Sequence, residues 1–371
     1  MLCDARPEVV VLSVSVHGDE GSRYPFVQRF ASCGDERLRE ALCQGATGDP
    51  AVIVRQDLTA IARSGVRPHV VLALPENLDV LLFLADVWQT PLGRTPMAHY
   101  YDLAPIAVGV DPDRFLSDLR CVHRTTHGPG YGAHAEPITI AEAAVRQIEA
   151  AGTVVLARGR HGGGRREGAR AVLAHLNPAA EVHAGAAAAT RDALAALAEP
   201  DSRWAASGPV DRLEPVAIPL LRRGVDRGVR SVLWRSRRPL HPERLADSLA
   251  TVMSGVVRSR GHLWLPTRPE TVVTWRSAGG HLELREAGRW LDDGDTSAWR
   301  DTSPQRRTLA SWFWDDYYGE RRNEIVFTGA ELDPDRLRPA LEDALLDDGE
   351  LARGIEGWAD LSDPLLGDRR A

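Results

Sequence analysis

Four short apolar runs constrain the first half of this 371-residue chain more than any other feature: Val9 to Val16, Val70 to Leu74, Ile106 to Val110 and Val154 to Ala157. Each has the length and the β-branched content of a buried strand, and helical patterns such as "DERLREAL" and "PITIAEAAVRQIEAAG" fall between them. Strands alternating with helices predict a mainly parallel sheet with helices on its faces, because parallel neighbours need a crossover connection. The expectation is an α/β domain over residues 1–205, closed by a last helix in "AGAAAATRDALAALAEP". A linker interrupted by Ser, Gly and Pro follows over 206–228.

Beyond the linker the order changes. "VRSVLWRSR" alternates as a strand, "HPERLADSLATVM" is an amphipathic helix, and "RGHLWLP", "TVVTWRSA" and "HLELREAG" are strands parted by Gly and Pro turns. A further strand, "NEIVFTGAEL", precedes the helix "DPDRLRPALEDALL". This succession predicts a smaller α+β domain over 229–350 and a C-terminal tail over 351–371. Trp264, Trp275 and Trp290 fall on strand positions and are expected in its core.

A hydrophobic content of 43% can supply a core to each domain. No apolar run approaches the ~20 residues that cross a bilayer. The N-terminus "MLCDARPEVV" lacks the basic flank and cleavage site of an export signal, so a cytoplasmic location is expected, without a membrane partner. Cys3, Cys33, Cys43 and Cys121 are widely and irregularly spaced, which reads as free thiols. A net charge of −7 argues against a generally basic, DNA-binding surface, although arginine clusters locally in "RGRHGGGRREGAR" and "RSVLWRSRRPLHPER".

The stretch "VVVLSVSVHGDEGS" runs from a strand into a glycine-bearing loop. Gly18, Gly21 and Ser22 supply parts of a phosphate loop, whose backbone N–H groups cradle phosphates and whose Ser/Thr hydroxyl meets magnesium. The loop has no lysine for the terminal phosphates, and the whole chain contains none. Two readings stand: a weakened phosphate site, or a simple strand-to-helix turn in which glycine supplies positive φ.

The blocks "RRPLHPERL", "GVVRSRGHLWLPTRP", "SAGGHLEL", "GRW" and "RRNEIVFTGAELDPDRLRPALEDALL" closely resemble the C-terminal domain of the CobW-type GTPases, a metal-handling, metallochaperone-like family. In the first half, "GVDPDRFLSDL" and "ITIAEAAVRQIEAAGTVVLA" are similar to the family's framework, and Glu76 in "LPEN" matches its switch glutamate. The resemblance implies a degenerate P-loop NTPase-like parallel-sheet domain followed by the smaller CobW C-terminal domain. It assigns vestigial nucleotide contacts to Gly18, Gly21, Ser22, Glu76 and Asp111, for GTP with Mg²⁺. Asp111 also reads as the N-cap of the helix after "VDP".

The chemical motifs depart from the family's pattern. The guanine-reading Asn-Lys-x-Asp is "ARGR", Ala157 to Arg160, and arginine carries no acceptor for guanine's N–H groups. The Cys-x-Cys-Cys metal motif expected before "VRQDL" is "GATGDPAVI". The nearest pattern is that of the ribosome hibernation factor-recruiting subgroup, which is associated with zinc limitation and ends in a tail similar to "LARGIEGWADLSDPLLGD". That resemblance implies a pseudo-GTPase with the ribosome and a hibernation factor as partners. The alternative is an active GTP-dependent zinc chaperone.

Two further groups are candidates. Cys121, His123, His127 and His134 gather residue types that bind zinc, on a spacing that matches no standard site and equally fits an exposed histidine loop. Arg235, Arg237, Arg238, Arg258 and Arg260, with His241 and His262, form a partner surface meeting ribosomal RNA phosphates, an ordinary solvated strand face, or, for the arginines, pairs with the chain's own acidic stretch "LEDALLDDGE", and His241 is also placed to cap the following helix.

Overall fold

The structure is a computed structural model, and it describes residues 9–18, 24–64, 69–76, 78–88, 95–124, 138–157, 159–160, 163–184, 213–292, 294–358 and 360–367. Its contacts divide the chain into two units, Met1–Arg170 with Ala179–Leu213, and Ala171–Pro178 with Glu214–Ala371. Apart from Ala184, the alanine-rich segment expected to close the first domain lies outside the described residues.

The first unit holds two sheets. Strand β1 (Val10–His17) pairs antiparallel with β2 (Phe26–Ser32) and parallel with β4 (Val70–Ala73), and β3 (Gly45–Thr47) extends the edge beside β2. Helices α1 (Glu36–Leu42), α2 (Pro50–Arg63) and α3 (Val80–Trp88) accompany this sheet. Its core joins Leu12, Val14 and Val27 to Val54, Ile61 and Phe83. The second sheet is wholly parallel, in the order β5 (Ala107–Val110), β6 (Thr153–Leu156), β7 (Glu181–Ala184). In sequence between its strands come α4 (Pro112–Asp118), α5 (Ile140–Ala150) and α6 (Gly163–Leu176), of which the residues from Ala171 on count with the second unit. All four apolar runs therefore form strands. The mainly parallel expectation holds for β1 with β4 and for β5 to β7, and the β1–β2–β3 part is antiparallel.

Sharp helix starts follow from local chemistry. Asp49, Asp111 and Thr139 each turn a side-chain oxygen onto first-turn N–H groups of α2, α4 and α5, and proline occupies the first helical position of α2 and α4. Asp111 is thus the N-cap expected from "VDP".

The second unit is one antiparallel sheet, ordered β12 (His281–Arg289), β11 (Thr271–Ala278), β10 (Val256–Leu263), β13 (Asn323–Ala330), β9 (Val229–Ser236), β8 (Val225–Asp226). Helices α7 (Pro242–Val252) and α10 (Pro334–Glu342) supply Leu245 and Leu337 to a core with Trp234, Trp275 and Phe327. Strand β13 enters between β10 and β9 from far along the chain, after α8 (Thr296–Asp301) and α9 (Pro304–Trp312). The β10–β13 approach requires glycine: a Cβ at Gly329 would stand 2.0 Å from the Gly255 carbonyl oxygen.

Two segments read from sequence as peripheral are built into this unit. Val216, within the expected linker, is fully buried in a second apolar cluster with Trp264, Trp290 and Trp358. The expected tail starts within α11 (Asp348–Ala352), continues through α12 (Gly354–Trp358), and then folds back on the sheet. There Asp363, 2% exposed, accepts from Thr267 Oγ1 at 2.7 Å and pairs with Arg268. These residues are tied down by the chain's own contacts, so they are not a free docking tail.

Candidate functional site

In the first unit the candidate residues sit at the carboxyl ends of strands, where open α/β sheets place their ligands. At the end of β4, the turn bearing Glu76 is fixed from α5. Gln147 Nε2 donates to the carbonyls of Glu76 at 2.6 Å and Leu78 at 3.2 Å. The neighbouring Arg146 donates to Glu142 at 2.6 Å and to Asp79 at 2.9 Å, and that trio is nearly buried. Glu76 itself is exposed. Its carboxylate and that of Asp111 both act on Asp118, whose pKa is raised, first by burial, against the opposing charge of Arg114. Glu76, Asp111 and Asp118 therefore share one acidic corner.

At the end of β6 stands the segment where guanine recognition would lie. Ala157 N–H donates to the Val110 carbonyl at 2.9 Å, and Arg160 N–H donates to Asp113 Oδ2 at 2.5 Å. The carboxylate facing this corner thus comes from α4 and is already engaged by the backbone.

The end of β1 departs most from the expected phosphate loop. His17 stands opposite Phe26, so the connection carrying Gly18, Gly21 and Ser22 joins two antiparallel strands. Gly18 is exposed, and Gly21 and Ser22 lie outside the described residues. A phosphate site takes its anion on the N–H groups and dipole of a helix that follows the loop. Here the strands on either side of the connection, β1 and β2, pair antiparallel with each other, in a chain without lysine. No lysine is available anywhere in the chain to meet the terminal phosphates of GTP.

The stretch replacing the metal motif forms β3 and the start of α2, and its continuation serves packing. Asp57 meets Arg29 from β2, with Nη1 at 2.8 and 3.0 Å from the two carboxylate oxygens, while Arg29 Nε donates to the Gln44 carbonyl. Burial raises the Asp57 pKa and Arg29 opposes it. Of the zinc candidates, Cys121 and His123 are adjacent, with Sγ 3.3 Å from Nδ1. His127 and His134 lie outside the described residues, among which no group of three or more His, Cys, Asp and Glu is placed to hold a metal ion.

The second unit corrects the expectation of an arginine-lined partner face. Arg258 is 4% exposed and donates to the Ser277 carbonyl at 3.1 Å. Arg237 reaches the carbonyls of Phe313, Gly319 and Arg321, and Arg238 pairs with Asp348. Arg260 is half-buried on β10. His262 is fully buried, edge-on to Trp290 at 5.7 Å, and its pKa is driven well down by burial and then by Arg322 and Arg306. His241 occupies the N-cap position of α7 without a side-chain cap bond; its buried ring lies 4.0 Å from Glu350. For Arg237, Arg238 and Arg258, carbonyl and carboxylate acceptors within the fold satisfy the donors that burial would otherwise strand. Trp264, Trp275 and Trp290 are buried as expected.

Residues 229–345 match the family model described as "Cobalamin synthesis protein cobW C-terminal domain". Over 334 residues, 90% of this chain and 81% of the relative, the sequence is 31% identical to a protein of Mycobacterium tuberculosis named a zinc chaperone. The chain belongs to the CobW-type family. A second relative, the zinc-regulated GTPase metalloprotein activator 1 of Dictyostelium discoideum, is 30% identical over 145 residues, 38% of this chain and 30% of that protein. The crystal structure of the zinc-bound YjiA GTPase from E. coli aligns over 90% of this chain and 86% of that one, at 11% identity and a TM-score of 0.34. No helix among the described residues is long and apolar enough to cross a membrane.

Sequence reasoning missed Gln147 and Arg146, which set the turn at Glu76. Their only signal was a polar pair inside the otherwise apolar face of "AEAAVRQIEA".

Proposed function

We propose that this CobW-type protein acts in zinc homeostasis by binding a partner and does not turn over GTP, serving as a recruitment factor for ribosome hibernation when zinc is scarce. The observation that carries the reading is the pairing of His17 with Phe26, which leads β1 into an antiparallel strand at the point where a phosphate loop must enter a helix. The lysine-free sequence and the "ARGR" segment point the same way. The zinc assignment rests on the named functions of the relatives.

With no nucleotide chemistry to drive it, the protein's work is positioning. Gln147 and Arg146 hold the acidic corner of the first unit, and Arg237, Arg244 and Arg268 lock the second unit's loops and C-terminal segment. Co-sedimentation of the full chain with ribosomes and a hibernation factor tests the reading. Hibernation-factor loading that rises with the protein and is indifferent to added GTP supports it; loading that is unchanged by the protein contradicts it. The second reading, a GTP-dependent zinc chaperone, is favoured by the name of the M. tuberculosis relative. It requires zinc transfer to an acceptor that depends on GTP.

A further inference from the structure

The segment after β12 carries an unusual surface. Trp312, the last residue of α9, and Tyr317, in the following turn, are each 74% exposed, the most exposed large hydrophobic side chains among the described residues. Large aromatics left in water this far mark recognition surfaces, because their burial on binding is worth more than that of any other side chain.

The scaffold beneath them is fixed. Asp315 and Gly319 exchange backbone hydrogen bonds at 2.9 and 2.8 Å, closing the turn that holds Tyr317. Asp315 Oδ1 accepts the N–H groups of Tyr317 and Tyr318, both at 2.9 Å. Trp314 packs against Trp299 at 5.8 Å, and Arg237 reaches carbonyls on both limbs of the turn. The exposed rings are therefore presented from a rigid base, which lowers the ordering cost of binding.

The charge around them is acidic. Asp316 is exposed beside Tyr317, and Asp292, Asp295 and Asp301 are exposed on the neighbouring turn and α8. Asp315 is held ionised, its pKa lowered by the Tyr318 and then the Tyr317 N–H group. Of the segment's arginines, Arg306 is buried on Glu320, Arg321 pairs with Asp292 at 3.4 Å, Arg307 donates to the Trp299 carbonyl, and Arg300 is exposed. Exposed aromatics in an acidic segment suit a guanidinium, which can stack on a ring while its N–H groups meet carboxylates. They repel a phosphate backbone.

We infer that the exposed Trp312 and Tyr317, set among Asp315, Asp316 and their acidic neighbours, form a docking surface for an arginine-rich segment of a partner protein. The inference goes beyond the zinc and hibernation reading and does not depend on it, since it concerns only the chemistry of this surface.

The test titrates the full chain with a nona-arginine peptide, a nona-glutamate peptide and a single-stranded RNA oligonucleotide, following tryptophan fluorescence and calorimetric heat. Saturable binding of nona-arginine alone is expected, weakened about tenfold or more by W312A/Y317A, a loss on the scale of hot-spot aromatics. D316R, which keeps both rings, is expected to weaken it comparably. Both variants should keep the wild-type thermal midpoint, because the altered side chains are exposed. Equal affinity in wild type and variants would reduce the binding to general attraction by a chain of net charge −7 and overturn the proposal. Absence of saturable binding, or tighter binding of the RNA, overturns it as well.

Discussion

Arg244 and Glu350 meet fork to fork, Nη1 on Oε1 at 2.8 Å and Nη2 on Oε2 at 2.6 Å, and so fasten α11 to α7. Arg244 Nη2 also reaches the Leu345 carbonyl, and Glu350 accepts the Asp347 N–H at 2.9 Å in a capping box. The Arg244 hydrogen bond, chiefly, lowers the Glu350 pKa from 4.5 to about 2. A carboxylate with a depressed folded value stabilises the fold above its unfolded value and loses that contribution as the pH falls through the folded one. Arg244→Ala is therefore expected to cost about 1 kcal/mol at neutral pH, discounted for partial exposure. The deficit should shrink between pH 4.5 and about 2, the two limits of the Glu350 shift. Urea melts of both proteins across that window check it; a deficit independent of pH contradicts the pairing.

Three buried histidines set a second, milder acid limit. His175, His241 and His262 all have pKa values below 6.5, each chiefly through burial, then through Arg222, Arg244, and Arg322 with Arg306 respectively. Asp226 opposes at His175, and Glu350 and Glu243 oppose at His241. A histidine kept neutral by folding takes its proton more readily unfolded, so stability is full above the unfolded value and falls as the pH drops through it. The thermal midpoint should decline from pH 7.5 to pH 5.5, and His262→Gln should flatten that slope even where it lowers the midpoint overall. An unchanged slope contradicts the assignment.

Charge reversal separates internal from external arginines. Arg258→Glu puts an acid at a 4%-exposed site beside the Ser277 carbonyl and should cost about 3 kcal/mol or more, as an unpaired buried charge does. Arg237→Glu should also destabilise, by freeing the carbonyls of Phe313, Gly319 and Arg321, and Arg238→Glu should do so least. Denaturant midpoints rank the three variants. Wild-type stability in all of them, with loss of ribosome association, would return these residues to a partner surface.

Legibility followed the apolar pattern and failed where charge was buried. The runs at Val154 and Val70 were readable because their sequences carry little besides apolar residues. Strand β2 was not: its inward side carries Val27, Arg29 and Ala31, and Arg29 is buried on Asp57, while Phe26 and Phe30 face outward. A charge inside and aromatics outside invert the alternation that marks a strand. The same inversion hid the roles of Arg258, His262 and Glu324, which lie on the sheet face opposite Trp275 and Phe327. The C-terminal segment read as a tail because its anchors, Trp358 and Asp363, are single residues between short helices and turns, too sparse to form a period.

The most direct test of the central claim is multiple-turnover phosphate release from GTP with Mg²⁺ by the purified full chain, beside the Ser22→Ala variant. Loss of one transition-state donor commonly costs 10²–10³ in rate, and here the lysine and the guanine motif are both missing from the sequence. The account predicts no release above buffer from either protein. Turnover by the wild type that Ser22→Ala abolishes would contradict it.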